Sequence, residues 1–296
     1  MRVTRRGFLT GVAATAASGV SLGGYAFAIE PRFRLVVARH AVESPAWPRR
    51  YPALRIAVLS DLHACDPWMP VGRIDEIVDR ALKLEPDVVV VLGDFAAGLR
   101  RFRTREVEPE DWAKPLSRLS APLGVHAVLG NHDWWTDVDA VRFGLKRAGI
   151  PVYENDAMRL NHRGRKFWIA GLGDQIAMQN NQGGFRGVDD LPGTLEAAGD
   201  GFPVVLMAHE PDIFVDVPGE QVAVTLAGHT HGGQIRLPGL GRPVIPSQYG
   251  DRFAYGHIVE NDRHLVVSAG LGCSILPVRF GVPPEITLVT LRSRSA

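Results

Sequence analysis

The decapeptide LRIAVLSDLH, residues 54–63, is an apolar run that stops abruptly at polar residues. The run is followed by Asp61 and His63, which is how a buried strand ends at a functional site. The same event follows in DVVVVLGDF, residues 87–95, and in GVHAVLGNHDWW, residues 124–135. We therefore predict three buried strands whose carboxyl ends carry polar side chains.

Helical segments separate these strands. In VGRIDEIVDRALKLEPD, residues 71–87, apolar side chains recur at helical spacing, and Pro86 ends the helix. Further helices are predicted around residues 111–119 and over DVDAVRFGLKRAG, residues 137–149, where the glycine stops the helix. Strand and helix thus alternate through the first half of the chain, which is typical of an α/β layered fold.

From Val152 onward the pattern changes to strands. MRLNHRGRKFWIAGL, residues 158–172, predicts a hairpin that turns around Arg163 and Gly164. Four later apolar runs predict further strands, and the first two of these again end in polar residues. They are PVVLMAHEP (203–211), VAVTLAGHTHGGQIRLP (222–238), HLVVSAGLG (264–272) and PEITLVTL (284–291).

Five strand ends carry clusters of Gly, Asp, Asn or His. Sites in open α/β sheets form at the carboxyl ends of strands, so we expect the five clusters to meet. Taken singly, each cluster is more often a helix cap, a turn or a hydrogen-bonded histidine than a metal ligand. The candidate residues are Asp61, His63, Asp94, Asn131, His209, His229 and His231.

The combination of side chains indicates a metal site. The candidates comprise four imidazoles, two carboxylates and one amide. Without a metal, their convergence would carry a large desolvation cost and would repel the carboxylates from each other. Two divalent cations remove that cost, and nitrogen and oxygen ligands without thiolates suit Mn, Fe or Zn. We therefore predict a dinuclear metal site at the strand ends.

The segment GHTHGGQ, residues 228–234, places two histidines two positions apart. In an extended segment such residues face the same way. This predicts that His229 and His231 reach neighbouring metal ions. The glycines after His231 predict a tight turn that lets the histidines approach the ions closely.

The ordered set D-x-H, G-D, G-N-H-D, a lone H and G-H-x-H resembles the calcineurin-like metallophosphoesterase superfamily. The resemblance covers Asp61 to His231. The segments GHTHGGQIRLP and GLGCSILPVRFGVPPEITLVTL resemble its exported or membrane-associated bacterial branch, which includes proteins with twin-arginine leaders. The resemblance implies an α/β fold, a two-sheet β-sandwich flanked by helices, with a dinuclear metal site at the strand ends.

The same resemblance implies a role for each predicted ligand. Two divalent ions, Mn, Fe or Zn, would be held close together by residues from both halves of the chain. The first ion would be held by Asp61, His63 and His231, the second by Asn131, His209 and His229, and Asp94 would bridge both.

Three further residues are candidates for catalysis or substrate binding. His132 matches the family histidine that faces the scissile phosphate and would stabilise the transition state or protonate the leaving oxygen. Asp133 would orient His132 through a hydrogen bond, or alternatively cap a helix. Arg279 would pair with a phosphate, or alternatively lie at the surface or the edge of the core. The implied reaction is hydrolysis of a phosphoester, with a phosphodiester as the favoured substrate. The nucleophile would be a hydroxide that bridges the two ions.

The N-terminus resembles an export signal. Arg5 and Arg6 precede a weakly apolar Ala/Gly-rich run and the small-x-small sequence Ala26-Phe27-Ala28, although Thr10 stands where such leaders usually have lysine. We predict three regions and expect export by the twin-arginine machinery to the periplasm or cell envelope, with anchoring if the leader is retained. The regions are 1–28, a twin-arginine-type signal peptide or N-terminal anchor; 29–52, a connector with an edge strand; and 53–296, a calcineurin-like phosphoesterase domain.

Three functional hypotheses remain. The first is an exported phosphodiesterase or phosphomonoesterase acting on lipid- or envelope-linked phosphoesters. The second is a UDP-2,3-diacylglucosamine-type pyrophosphatase acting on a lipid precursor. An exported leader disfavours it because that precursor is made on the cytoplasmic side, whereas a retained, non-translocated anchor would favour it. The third is an inactive metal-binding envelope protein. A net charge of +1 gives no indication of a nucleic-acid partner, and two cysteines are too few for a disulfide scaffold.

Overall fold

The structure, a computed structural model, describes residues 19–96, 99, 102, 104–180, 183–199 and 201–294. Eleven of its strands form two large sheets, and four two-residue strands form two small ones. The strands are β1 (Val36–Ser44), β2 (Leu54–Leu59), β3 (Cys65–Asp66), β4 (Val88–Leu92), β5 (Arg105–Glu106), β6 (Val125–Val128), β7 (Asp156–His162), β8 (Arg165–Gly171), β9 (Met178–Gln179), β10 (Phe185–Arg186), β11 (Val204–Met207), β12 (Val222–Ala227), β13 (Gly256–Glu260), β14 (Arg263–Val267) and β15 (Glu285–Ser293).

A helical segment over residues 19–33 precedes β1 and includes a π-helical turn at Tyr25–Ile29. Among the described residues, no helix is both long and apolar enough to span a bilayer. The helices after β2 are α1 (Val71–Leu82), α2 (Pro109–Leu116), α3 (Asn131–Thr136), α4 (Val138–Ala148) and α5 (Leu191–Ala198), with 3-10 turns at Pro211–Val215, His231–Gly233 and Gly250–Phe253.

The two large sheets are mostly parallel. The first has the order β1-β15-β2-β4-β6, in which β2, β4 and β6 are parallel and β15 is antiparallel to β2. The second has the order β13-β14-β12-β11-β8-β7, with antiparallel edge strands on four parallel ones. The edge strand expected in the connector is β1, which pairs parallel to β15, the last strand of the chain.

The sheets and helices form layers, with three apolar cores between them. Side chains such as Ile56 and Ile169 fill the space between the two sheets. Helices α1, α2 and α4 cover the outer face of the first sheet with side chains such as Ile77 and Leu145. Helix α5 and the turn that carries Phe214 cover the second sheet. The predicted α/β fold, a two-sheet sandwich flanked by helices, is therefore confirmed.

The local patterns explain these elements. All five residues of β4 are buried because both faces of this central strand are covered, so the strand is continuously apolar rather than alternating. Helix α1 buries Ile74, Ile77, Val78 and Ala81 along one stripe. Helix α4 ends at Gly149, whose φ of 72° suits the left-handed position after a helix.

The N-terminal helical segment packs on the loop before β15. The carbonyl of Ala26 accepts a hydrogen bond from the backbone amide of Arg279 (3.0 Å). The carboxylate of Glu30, almost completely buried, accepts one from the amide of Val282 (2.9 Å). Residues 1–18, which include the twin arginines of the predicted leader, lie outside the described residues.

Both cysteines lie in one small buried cluster. Cys65 and Cys273 are free thiols that pack with Leu99. Burial raises the pKa of Cys65 to about 11. A buried thiol that keeps its proton at neutral pH is a packing residue rather than a nucleophile.

Candidate metal centre and active site

The loops after five parallel strands meet at one place in the sandwich. They follow β2, β4 and β6 of the first sheet and β11 and β12 of the second. Six of the seven predicted ligands are buried and the seventh, His229, is half-buried. The structure thus brings together Asp61, His63, Asp94, Asn131, His209, His229 and His231.

One group of possible ligand atoms comes from Asp61, His63, Asp94 and His231, within 4.8 Å of one another. Nε2 of His63 lies 3.1 Å from Nε2 of His231 and 3.4 Å from Oδ2 of Asp94. Nε2 of His231 lies 3.5 Å from Oδ1 of Asp61. Atoms bonded to one ion at about 2.0–2.2 Å lie roughly 3–3.5 Å apart, so these distances fit a single divalent ion.

A second group lies around His229. Its Nδ1 is 3.0 Å from Oδ1 of Asn131. Nε2 of His209 lies 3.3 Å from Oδ2 of Asp94, which is the same oxygen that lies near His63. Oδ2 of Asp94 is therefore placed between the two groups, where a bridging carboxylate is needed.

Backbone carbonyls fix the orientation of two of the rings. Nδ1 of His63 donates to the carbonyl of Ala96 (3.0 Å), and Nδ1 of His209 donates to that of Leu92 (2.5 Å). A ring that donates through Nδ1 keeps its lone pair on Nε2, the nitrogen that faces the other ligands. Both rings are thus held in the tautomer that a metal ligand requires.

The protonation states of the first group also fit a divalent ion. Although burial opposes it, the charges of His209, His132 and His63 hold the pKa of Asp94 well below its usual range. Burial lowers the pKa of His63 to about 3 and that of His231 well below its usual value. An ionised carboxylate and neutral imidazoles are the forms that bind metals.

Unlike His63 and His231, His209 has a raised pKa, and this indicates where a cation is needed. Its Nε2 is buried without a hydrogen-bond partner. Although burial opposes it, the charge of Asp94 raises the pKa of His209 well above its usual value. A proton on His209 and a metal ion are therefore alternative ways to neutralise Asp94, and acid should compete with metal. The buried donor set fits two divalent ions.

The backbone around the ligands is unusual. Five of the predicted ligands have positive φ, a conformation that non-glycine residues rarely adopt and that costs about 1–3 kcal/mol each. This corrects our explanation of the GHTHGGQ segment, because His229 (φ 67°) and His231 (φ 51°) are left-handed rather than extended. Backbone turns, not strand alternation, direct both rings to the site. The five ligands are Asp61, His63, Asp94, His229 and His231.

Gly130 allows the loops after β4 and β6 to touch. A Cβ at this position would lie 2.6 Å from the backbone nitrogen of Asp94 and 2.7 Å from Cε1 of His209. Real side chains do not tolerate such distances, so only glycine lets the backbone approach the bridging carboxylate this closely.

His132 lies beside both ligand groups at the start of α3. Its backbone amide donates to Oδ1 of Asp94 (2.8 Å). Its ring meets His63 edge-on, with centroids 4.9 Å apart, and lies against Trp135 at 5.1 Å. Its Nε2 is 3.0 Å from Oγ of Ser274. His132 also lines the cavity described below, which is where a residue that faces the scissile phosphate must lie.

Of the two roles predicted for Asp133, the structure supports the helix cap and not the orientation of His132. Its two carboxylate oxygens accept hydrogen bonds of 2.8–2.9 Å from four backbone amides, which fill their lone pairs, whereas Nε2 of His132 is bonded to Ser274. Burial and the charge of Asp94 raise the pKa of Asp133 to about 7. Asp133 thus caps α3 and joins two loops rather than orienting His132. The four donors are the amides of Asp94, Phe95, Ala96 and Gly130.

Arg279 also differs from our first prediction of a phosphate-binding residue. Its side chain is completely buried. The guanidinium donates to the carbonyls of Gly272, Val282 and Ala269, at 2.5–3.1 Å, and lies 3.3 Å from Nδ1 of His231. Because the side chain is completely buried and is not among the residues that line the cavity described below, Arg279 supports the loop behind His231 and does not face the substrate.

Glu210 is a site residue that sequence reasoning missed, although it directly follows His209. It lies within ligand distance of His209 and His229. Its Oε2 accepts from the amide of Gln175 (3.0 Å). Burial and the charge of Glu210 raise the pKa of Asp174 to about 10, so Asp174 keeps a proton beside Glu210. Asp174 lies after β8, and no sequence spacing connects it to the ligand set.

A cavity of about 850 Å³ opens onto the ligand cluster. His132, Asn131 and His229 are among the residues that line it. Three carboxylates also line the cavity, and apolar side chains make up much of its lining. These include Asp189, Glu210 and Asp212, and Ile235, Val244, Ile245, Ile275, Leu276 and Val278.

Comparisons with known proteins agree with this geometry. A family model for the calcineurin-like phosphoesterases matches residues 54–233. The chain is 32% identical over 299 residues to the uncharacterized metallophosphoesterase YkuE of Bacillus subtilis, with 99% of each chain covered. It is 29% identical over 294 residues to the phosphodiesterase YaeI of Escherichia coli, covering 98% of this chain and 99% of the relative. A solved 5'-nucleotidase precursor from Thermus thermophilus has a TM-score of 0.49 and 16% identity, over 75% of this chain and 50% of that one.

The residues that the family model matches include every segment that carries a predicted ligand, because they begin before Asp61 and end after His231. These matches do not support the hypothesis of an inactive metal-binding protein. The chain belongs to the calcineurin-like phosphoesterase family and is a metal-dependent phosphoric ester hydrolase.

Proposed function

We propose that the chain is a phosphodiesterase whose substrate carries one negative charge at phosphorus and an apolar group beside it. The charge of the cavity carries this proposal. No lysine or arginine occurs among the described residues that line the cavity, whereas Asp189, Glu210 and Asp212 do line it. The part of the substrate that does not touch the metals is therefore not anionic.

The competing substrate classes differ in the negative charge that they carry. A phosphodiester carries one negative charge, but a phosphomonoester carries nearly two at neutral pH because its second pKa is about 6. A pyrophosphate adds a second charged phosphate, which proteins usually bind with arginine or lysine. Three carboxylates, with no lysine or arginine among the described residues that line the cavity, disfavour both additional charges. A UDP-2,3-diacylglucosamine-type pyrophosphatase is therefore disfavoured.

The apolar lining supports a lipid- or envelope-linked substrate. Ile235, Leu276 and Val278 line the cavity, and Val244 and Ile275 reach solvent at its mouth, where they are 69% and 64% exposed. A cavity with much of its lining apolar, continued by exposed apolar side chains, favours a substrate with an apolar group. The relative named as a phosphodiesterase agrees with the diester class.

The predicted ligands would hold two divalent ions, Mn, Fe or Zn. When bound, the ions supply a nucleophile at neutral pH and offset the charge of the phosphoryl oxygens. His132 would lie beside the phosphoryl group and donate a hydrogen bond to the leaving oxygen. One ion would be held by Asp61, His63 and His231, the other by Asn131, His209 and His229, with Asp94 between them.

The substrate class is tested with the full chain, loaded separately with Mn²⁺ and Zn²⁺. Hydrolysis of bis-p-nitrophenyl phosphate, p-nitrophenyl phosphate and UDP-glucose is compared, with Asp94→Ala as the blank and the exposed Asp156→Ala as the matched control. We expect kcat/KM to be highest for the diester. A higher kcat/KM for the monoester or for the pyrophosphate, in protein with two bound metals, would refute the proposal.

We also propose that the protein is exported by the twin-arginine machinery and acts in the periplasm or cell envelope. Two contacts favour retention of residues 1–28 as an anchor. Cleavage after Ala28 would remove the carbonyl of Ala26, which binds the amide of Arg279, and the carbonyl of Phe27, which accepts from Trp68 Nε1 (3.1 Å).

The location is tested by cell fractionation and by N-terminal sequencing of the protein recovered from the envelope. We expect the protein in that fraction, and a start before Ala26 if the anchor is retained. A variant with Arg5→Lys and Arg6→Lys should stay in the cytoplasm. If that variant reaches the envelope as efficiently as the natural chain, the twin-arginine route is wrong.

A further inference from the structure

The ring of His132 is held on several sides. Its backbone amide is bound to Asp94, and its ring packs edge-on with the ring of His63 and at a tilt against that of Trp135. At the tip of the ring, Nε2 is 3.0 Å from Oγ of Ser274, a half-buried residue of the cavity wall. The rotation of the imidazole about its own axis is therefore set by the hydroxyl of Ser274.

Ser274 is in turn held by Gln234. The backbone amide of Ser274 donates to Oε1 of Gln234 (2.8 Å). Nε2 of Gln234 donates to the carbonyl of Ser274 (3.0 Å) and to that of Leu276 (3.3 Å). The side-chain amide thus spans the loop on both sides and fixes its distance from the metal centre.

Gln234 is itself tied to the metal ligands. It ends the GHTHGGQ segment, and its backbone amide donates to the carbonyl of His231 (3.0 Å). Its φ of 54° turns the chain after the two glycines and directs the side chain to the loop of Ser274. A continuous set of hydrogen bonds therefore runs from the loop of His231, through Gln234 and Ser274, to the ring of His132.

We propose that Ser274 and Gln234 are positioning residues for His132. Ser274 sets the orientation of the imidazole at the leaving oxygen, and Gln234 sets the position of Ser274. The proposal rests on the proposed phosphodiesterase activity. It also gives the glutamine of the GHTHGGQ segment a role that is separate from metal binding, since its side-chain hydrogen bonds within the described residues are with Ser274 and Leu276 and not with a metal ligand.

Ser274→Ala is the direct test, because it removes one hydroxyl from the cavity wall. We expect kcat for hydrolysis of diphenyl phosphate to fall by about 10–100-fold, since a small misplacement of a catalytic group costs up to that much. The KM and the content of two metals should stay unchanged, because Ser274 is not a ligand. Ser274→Thr, which keeps a hydroxyl, should recover most of the kcat. Ser117→Ala, on the surface at the end of α2, is the matched control.

The leaving group separates positioning from a general structural effect. p-Nitrophenolate departs without assistance, whereas phenolate needs a proton or hydrogen bond from His132. Ser274→Ala should therefore lower the rate with diphenyl phosphate more than the rate with bis-p-nitrophenyl phosphate. Gln234→Leu, which removes all three side-chain hydrogen bonds at similar volume, should show the same bias with both metals still bound.

The outcomes distinguish this inference from the proposed function. If the natural chain hydrolyses both diesters and Ser274→Ala does so at the same rates, Ser274 does not position His132. An equal loss with both leaving groups, or no recovery in Ser274→Thr, would also overturn the inference. If the natural chain binds two metals but hydrolyses neither diester, the proposed function itself is wrong.

Discussion

Asp133→Asn tests the new role of Asp133 in joining the loops after β4 and β6. The natural carboxylate accepts two amides on each oxygen: Phe95 and Ala96 on Oδ1, Asp94 and Gly130 on Oδ2. The asparagine side chain keeps one oxygen and presents an N–H₂ group at the other position. Two of the four amides then face a donor instead of an acceptor.

The expected cost follows from these two amides. Leaving a buried donor unsatisfied costs about 1–3 kcal/mol, so the loss of two should lower the free energy of unfolding by roughly 2–6 kcal/mol. That is a large part of the about 5–15 kcal/mol that stabilises a typical domain. Because the two loops carry Asp94 and Asn131, metal affinity should fall together with stability.

Urea unfolding followed by tryptophan fluorescence measures the cost, at pH 8, where Asp133 with a pKa of about 7 is mostly ionised. The measurement is made on metal-free and on metal-loaded protein. Asp137→Asn is the matched control, because Asp137 accepts one amide, from Ala140, at the exposed start of α4. Asparagine is as good a residue as aspartate at that position, so the control should unfold like the natural chain.

Two results would refute the reasoning. The first is Asp133→Asn with a free energy of unfolding within about 1 kcal/mol of the natural value, which is less than even one unsatisfied amide costs. The second is a variant of natural stability and natural metal content that loses kcat as His132→Ala does. That second result would restore the role that we first predicted, in which Asp133 orients His132.

Three further predictions follow from the same contacts. In an assay of bound metal and turnover, Asp94→Ala should lose both metals and all activity. His132→Ala should keep both metals and lose about 10²–10⁴-fold in kcat. Loss of metal from His132→Ala would contradict the role that we give to His132. Arg279→Met should lower the free energy of unfolding by about 3 kcal/mol, since buried carbonyls lose their donors, without raising KM as loss of a phosphate-binding residue would. Burial and the charge of neighbouring His264 lower the pKa of His257 to about 4, below its value of about 6.5 in the unfolded chain. The stability that neutral His257 contributes is therefore present above pH 6.5 and is lost as the pH falls towards 4. His257→Gln should therefore unfold with a urea midpoint that changes less between pH 7.5 and 5, and an unchanged slope would count against this explanation.

Much of the fold could be predicted from local patterns. The apolar runs became the strands, and the helices at residues 71–82 and 138–148 lie where the spacing placed them. The hairpin turns at Arg163 and Gly164, as predicted. Both of these residues have positive φ. The helix predicted around 111–119 begins earlier, at Pro109, and ends at Leu116. Boundaries of this kind depend on the loops that pack against a helix end, which the local sequence does not specify.

The sequence by itself determined which residues meet, because strand ends of parallel sheets share one edge and each end carried its own polar cluster. It did not determine how they are held. The left-handed backbone at His229 and His231, the four amides on Asp133 and the enclosure of Arg279 all depend on partners far along the chain. Spacing records which side chains are near one another in sequence. Which side chains are near one another in space depends on hydrogen bonding and burial between distant loops, and only the tertiary structure determines these contacts.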